Sequence, residues 1–353
     1  PKFLNSSAPF FSSWVKENLS LYISNAQIRN GGLRIKTSLN MKWQNHARDI
    51  INEQKPNDIQ GALVAIEPST GLVRVLIGGK DFTNNQFNRA TQALRSPGST
   101  FKIFPYAAAL KSGFRIDSQV LDKRKCWDKY CPKNFGNKYL GKTTLLKSFT
   151  SSSNIVAVEL LEKVGFNEVI DIANQLGVGD NDKLGRFYPL AIGSFEQTVV
   201  DMTGAYAGLA NRGLYLKPIP IEEIRGPKNR LLWSINKIEK RGVQAIPQEV
   251  ADKLNFMLTK VVEEGTGRVA KLADRPVAGK TGTSEGGRDL WFIGSIPQLS
   301  AGVWIGFDDN RKTRKGSGEA AWVWKRFMSR VTEDLDVIYF TNESSKNFLK
   351  DTI

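Results

Sequence analysis

An α+β fold follows from three features of the 353-residue sequence. Two strongly apolar runs, Gly61–Ile66 and Leu72–Ile77, flank a Pro-Ser-Thr-Gly turn and predict a β-hairpin. Strand patterns return from Pro276, over Val277–Thr283, Asp289–Gly294 and Leu299–Gly306. The residues between, near 99–215, are mostly helical in pattern. Strands at both ends with helices between require a sheet completed by strands distant in sequence.

The remaining elements follow in chain order. Trp14 to Ile23 has helical spacing, and Asn30-Gly31-Gly32 reads as a turn. Leu33 to Leu39 alternates apolar and polar residues as a half-buried strand does, and Met41 to Ile51 resumes a helical pattern. Ile155–Leu161 and Thr198–Ala210 predict helices, the second ending at Asn211-Arg-Gly213 as a helix C-cap does. Beyond residue 341 the chain reads as a frayed tail.

Composition narrows the function classes. The chain is 41% hydrophobic and 24% charged, as globular proteins are, and holds no apolar run long enough to span a membrane. It opens on Pro1, so it is expected to be a fragment or processed form. Fifty Lys and Arg against 35 Asp and Glu give a net charge of +15. Such a charge attracts polyanions, but the basic residues are scattered and no nucleic-acid module accompanies them, so no nucleic-acid partner is expected. Cys126 and Cys131 are too few for a four-ligand zinc site, and His46 lies far from them in sequence. No metal or cofactor is expected. The two cysteines form either a local disulfide, in an oxidising compartment, or two free thiols.

The chemistry lies in three segments, Ser99-Thr-Phe-Lys102, Ser152-Ser-Asn154 and Lys280-Thr-Gly282. Each pattern also occurs elsewhere in the chain, as at Ser13/Lys16 and Ser38/Asn40, so the information is in their order and context. Pro97-Gly98 breaks the chain before Ser99 and Ala107–Leu110 favours a helix behind it, which sets Ser99 at a helix N-terminus. Unpaired N–H groups and the helix dipole there favour developing negative charge. Lys102 lies about one turn on, its amine within reach of the Ser99 hydroxyl, and a desolvated amine can take that proton.

Ser152 supplies a hydroxyl able to pass the proton to a leaving amine, and Asn154 an amide to hold a peptide carbonyl. A helix N-cap explains the same serines. Lys280-Thr-Gly-Thr283 reads as a strand edge: Lys280 adds charge, Thr281 and Thr283 offer hydroxyls to a carboxylate, and Gly282 lets a substrate backbone approach. The N–H groups of Ser99 and Thr283 make a candidate oxyanion hole, each donor worth roughly 2.7–4 kcal/mol of barrier. A phosphate-binding loop at Gly279-Lys-Thr is excluded, because position 274, where its first glycine is needed, is Asp.

With these elements in place, the chain resembles the transpeptidase domain of class A penicillin-binding proteins. The likeness covers roughly residues 31–328 and includes Gly61–Pro68, Phe87–Ala93, Arg95–Lys102, Glu264-Gly-Thr-Gly267, Ala278–Thr283 and Asp289–Gly294. It implies an antiparallel sheet flanked by helices with an all-helical subdomain. By the same likeness residues 1–57 are a linker region, 58–340 the transpeptidase domain and 341–353 a C-terminal tail. It further implies an enzyme at the extracytoplasmic face of the cell membrane, anchored by a segment before Pro1. That enzyme cross-links peptidoglycan stem peptides from a lipid-linked precursor, is acylated by β-lactams on Ser99, and works beside a glycosyltransferase domain.

Three departures stand out. Ile103 replaces a customary proline, with Pro105 two residues later; Ser153 separates Ser152 from Asn154; and Ser284 follows Thr283. None removes a reacting group. The competing readings are a β-lactamase or D,D-carboxypeptidase, which passes the acyl group to water, and a non-catalytic β-lactam sensor. The Glu-x-x-Leu-Asn segment of class A β-lactamases is absent from the chain.

Overall fold

The computed structural model describes residues 6–179, 184–238 and 241–341. The chain begins with α1 (Pro9–Asn18), α2 (Asn25–Asn30), β1 (Arg34–Thr37) and α3 (Met41–Asn52). The apolar runs form β2 (Gln60–Ile66) and β3 (Val73–Ile77). A 3-10 turn over Gly98–Lys102 leads into α4 (Ile103–Lys111), followed by a short hairpin of β4 (Gln119–Asp122) and β5 (Gly141–Thr144). Next come α5 (Leu145–Thr150), α6 (Asn154–Val164), α7 (Phe166–Gln175) and α8 (Val199–Ala210). Strands β6 (Leu214–Tyr215), β7 (Ile221–Arg225), β8 (Leu231–Ser234) and β9 (Val243–Gln244) precede α9 (Gln248–Glu263). The chain closes with β10 (Ala278–Thr283), β11 (Asp289–Ile296), β12 (Leu299–Gly306) and α10 (Gly318–Val331).

The central sheet has the order β10-β11-β12-β2-β3, antiparallel throughout. β12 therefore pairs with β2, joining the two strand-rich ends of the sequence, Val303 opposite Leu63. Both faces of the sheet are covered, which is why its strands read as unbroken apolar runs. On one face Ala62, Val64, Trp291, Ile293 and Trp304 pack into the core formed with α4, α6, α8 and α9. On the other, Leu63, Ala65, Phe292, Val303 and Ile305 meet Ala47, Ile50 and Ile51 of α3 and Trp324 and Phe327 of α10. The alternation is the two-residue period of a strand applied to a sheet with two cores.

Residues before 58 pack closely against the rest of the protein. Phe10, Phe11 and Trp14 enter the larger core, β1 pairs with β7, and α3 covers the outer face of the sheet beside α10. The stretch 99–215 also contains the β4–β5 hairpin, whose four-residue strands are too short to leave a periodic signal. The tail expected from residue 341 lies, after its first residue, outside the described residues.

Candidate active site

Ser99 sits in the 3-10 turn that precedes α4, half-buried, one step earlier and more tightly wound than a plain helix N-terminus. The turn is pinned locally by the Thr100 hydroxyl, which donates to the Pro97 carbonyl at 2.8 Å. It is pinned from α8 by the Tyr206 hydroxyl, which donates to the Thr100 carbonyl at 2.9 Å. Pro105 falls in the first turn of α4, where its missing N–H costs no helical bond.

Glycine decides how closely β10 approaches this turn. A Cβ on Gly98 would lie 2.5 Å from the Thr283 carbonyl oxygen, and one on Gly282 would lie 2.3 Å from that of Pro97. Gly98 also has a positive φ of 52°, which side chains disfavour. Gly282 thus serves the contact between the strand and the Ser99 turn.

The second segment divides its labour. Ser153 is the N-cap of α6, its hydroxyl accepting from Val156 N at 3.1 Å. Ser152, freed from capping, adopts a φ of +58°, a strained conformation for a residue with a Cβ. Lys280 Nζ donates to Ser152 Oγ at 2.8 Å, and Lys102 Nζ donates to the same oxygen at 3.2 Å. Lys102 Nζ donates further to Ser152 O at 2.7 Å and to Asn154 Oδ1 at 2.6 Å. Asn154 Nδ2 donates to the Lys133 carbonyl at 2.7 Å, so both ends of that amide are engaged within the protein.

The expected contact between Lys102 and the Ser99 hydroxyl is not formed here. An amine with no exposed surface seeks an acceptor for each of its donors, and the Ser152–Asn154 turn presents three oxygens. Among the described residues Ser99 Oγ has no hydrogen-bond partner.

Both lysines are fully buried, and burial disfavours their charged forms. Lys102 is pushed well below the ordinary lysine range, first by desolvation and then by repulsion from Lys280, with Asp122 pulling the other way. Lys280 is lowered by desolvation to about 7. Its Nζ also stands 5.9 Å from the centre of the Phe149 ring.

On β10, Ala278, Lys280 and Gly282 face the helical core, while Thr281 and Thr283 alternate to the other side. Thr283 is exposed, and the buried Thr281 shares a 2.9 Å hydrogen bond with the Thr266 hydroxyl. Cys126 and Cys131 are joined by a disulfide in the β4–β5 loop, two residues before Lys133.

The fold thus brings Lys102, Ser152, Asn154 and Lys280 into one hydrogen-bonded cluster, with Ser99 on the adjoining turn against Thr283. Sequence reasoning missed Asp122, Asn134 and Thr266. Thr266 stands in the Glu264–Gly267 segment, but nothing in the sequence separates a buried Asp122 or Asn134 from any surface polar residue. A separate cleft of about 810 Å³, lined by His46, Glu53, Trp322 and Arg326 among others, shares no residue with this cluster. Among the described residues no His, Cys, Asp and Glu group could hold a metal ion, and no helix is long and apolar enough to cross a membrane.

Known proteins carry a similar fold and a related sequence. The chain is 36% identical over 285 residues to penicillin-binding protein 1A of Aquifex aeolicus (strain VF5), matching 78% of this chain and 38% of that protein. It is 30% identical over 306 residues to penicillin-binding protein 1A of Rickettsia prowazekii (strain Madrid E), again 78% of this chain and 39% of the relative. It therefore spans about two fifths of the length of the curated relatives it matches. Among solved structures, PonA1 of Mycobacterium tuberculosis in complex with penicillin V superposes with a TM-score of 0.86 at 25% identity, covering 94% of each chain. Penicillin-binding protein 1A of Haemophilus influenzae shares the fold, with a TM-score of 0.84 at 20% identity over 94% of this chain and 71% of that one. Residues 61–329 match the family model described as the penicillin binding protein transpeptidase domain, and the chain belongs to that family.

Proposed function

We propose that this chain is a serine D,D-transpeptidase that cross-links peptidoglycan stem peptides. The observation that carries the reading is the convergence of two buried amines on one hydroxyl, Lys280 at 2.8 Å and Lys102 at 3.2 Å from Ser152 Oγ, beside the Ser99 turn. Burial loosens the proton on Lys102, which suits it to a general-base role, and such proton transfer contributes on the order of 10²–10⁴ in rate.

In this scheme Ser99 Oγ attacks the carbonyl carbon between the two D-Ala residues and Lys102 accepts the hydroxyl proton. The N–H groups of Ser99 and Thr283 hold the oxyanion, and the contact of Gly98 with the end of β10 supports that pairing. The proton passes through Ser152, bonded to Lys280, to the departing D-Ala amine. The exposed Thr283 and the edge of β10 receive the substrate carboxylate, Thr281 behind them and Asn154 opposite. An amino group of a second stem peptide then attacks the ester carbonyl and regenerates Ser99.

Penicillin in the similar PonA1 supports β-lactams as acylating ligands of Ser99. The curated relatives are longer than this chain, which fits a parent in which the resemblance places a glycosyltransferase domain, a lipid-linked precursor and the outer face of the membrane.

Intact mass spectrometry after benzylpenicillin, followed over hours, tests the reading. One stable adduct is expected on the native chain and none on Ser99→Ala. An adduct that persists in Ser99→Ala would overturn the nucleophile assignment, and rapid loss of the adduct would reassign the chain to hydrolysis.

A further inference from the structure

The turn carrying Ser152 is tied from behind by a carboxylate that the reaction scheme does not use. Asp122 ends β4 and is buried. Its Oδ1 accepts from Asn134 Nδ2 at 2.8 Å and from Ser153 Oγ at 2.9 Å, and its Oδ2 accepts from Leu140 N at 3.0 Å. Charge-assisted bonds of this kind are shorter and stronger than neutral ones.

Each donor leads into the site. Ser153 Oγ, while donating to Asp122, accepts from Val156 N and so caps α6. Asn134 Oδ1 accepts from Asn154 N at 2.8 Å and Ile155 N at 3.3 Å, two N–H groups of the first turn of α6 that have no partner within the helix. Asn134 Nδ2, donating to Asp122 and to the Lys138 carbonyl at 3.0 Å, fixes which way that amide faces. Asn154 in turn accepts from Lys102. Three bonds therefore run without a gap from Asp122 through Asn134 and Asn154 to the Lys102 ammonium or amine.

We propose that Asp122 is a positioning residue of the acyl transfer, locking the Ser152–Asn154 turn through Ser153 and Asn134 and so setting where Lys102 stands. This rests on the roles given above to Ser99, Lys102 and Ser152. The strained φ of Ser152 makes the lock necessary, because such a conformation persists only where its surroundings over-determine it. Misplacement of a reacting group by about 1 Å costs on the order of a hundredfold in rate.

Asp122 acts on Lys102 in a second way that a scaffold alone would not. The charged groups acting on the Lys102 amine are Lys280 on β10, which repels its proton, and Asp122 on β4, which favours it. Removal of the Asp122 charge therefore leaves Lys102 with a weaker hold on its proton, and the acid limb of the acylation rate moves to lower pH.

The test compares penicillin acylation rates of native chain, Asp122→Asn and Asn134→Ala across pH, with thermal melting of each. Both variants are expected to acylate roughly tenfold to a hundredfold more slowly. Only Asp122→Asn is expected to shift the acid limb downward, since Asn134→Ala retains the charge. Native acylation rates with an unmoved limb in folded Asp122→Asn overturn the inference, as does slowing without any shift, which would leave Asp122 a purely structural support. If Asp122→Asn does not fold, Asn134→Ala decides, and native rates there overturn the inference. A native chain that takes no adduct would instead remove the proposed function, so the two failures are distinguishable.

Discussion

Two lysines without exposed surface share one serine hydroxyl, and that pairing sets the residue-scale chemistry. Lys102→Ala is expected to lower the penicillin acylation rate by about 10²–10⁴, because the hydroxyl proton of Ser99 loses its acceptor. Lys280→Ala leaves that base in place and is expected to slow acylation less, through a Ser152 with one partner fewer. Stopped-flow acylation with the two variants checks the ranking, and equal small losses would contradict the division of roles. Lys280 also makes stability depend on pH. Its amine titrates near 7 in the fold against 10.5 in the open chain, so between those values the unfolded chain binds more protons. Stability from this group therefore rises with pH across roughly 7 to 10.5 and is lost as pH falls back toward 7. Lys280→Met is expected to flatten that part of the melting-temperature profile, and an unchanged slope would place the charge elsewhere.

At the scale of elements, the candidate site depends on β10 lying against the Ser99 turn. Two glycines allow the approach, and each would put a Cβ closer than 3 Å to a carbonyl oxygen of the other segment. A carbonyl cannot swing aside as a side chain can, so the strand must shift. Gly282→Ala is expected to cost about 1–3 kcal/mol of stability and to slow acylation, as melting and acylation of the same sample report. An alanine variant with native values would mean that the sheet edge is softer than its packing implies. The same scale explains why Ser152 and Ser153 were hard to separate by sequence. Both are serines before a helix, and only the helix geometry assigns the cap to Ser153 and releases Ser152 to the lysines.

Across the whole molecule, the central sheet needs cover on both faces. Ala47, Ile50 and Ile51 of α3 share the outer core with α10, and Phe10, Phe11 and Trp14 belong to the inner one. A chain beginning at residue 58 is therefore expected to expose apolar sheet surface and to aggregate or melt early, as scattering during thermal unfolding would reveal. A truncated chain that melts like the full one would show that these contacts add little to stability. Burying a Leu, Ile or Val side chain contributes about 1.5–3 kcal/mol, and α3 buries two isoleucines at that face. The net charge of +15 is spread over a surface laced with exposed ion pairs such as Lys42–Asp334 and Lys111–Glu168, which individually contribute little.

By itself the sequence determined the strands of the central sheet, helices such as α3, α6 and α8, and the candidate reacting groups, because these depend on local periodicity, turn chemistry and residue type. The apolar runs Gly61–Ile66 and Leu72–Ile77 on either side of a Pro-Ser-Thr-Gly turn read as a hairpin from local pattern alone. Tertiary structure alone decided which donors meet which acceptors. It gave Lys102 to Ser152 and Asn154 rather than to Ser99, turned Gly282 toward Pro97, and set Asp122 and Asn134 behind the Ser152–Asn154 turn. Those choices depend on contacts between segments from 12 residues apart (Asp122–Asn134) to well over a hundred apart (Gly282–Pro97), and no local pattern records them. Burial then converts them into chemistry, since a lysine that the fold has stripped of water holds its proton less tightly.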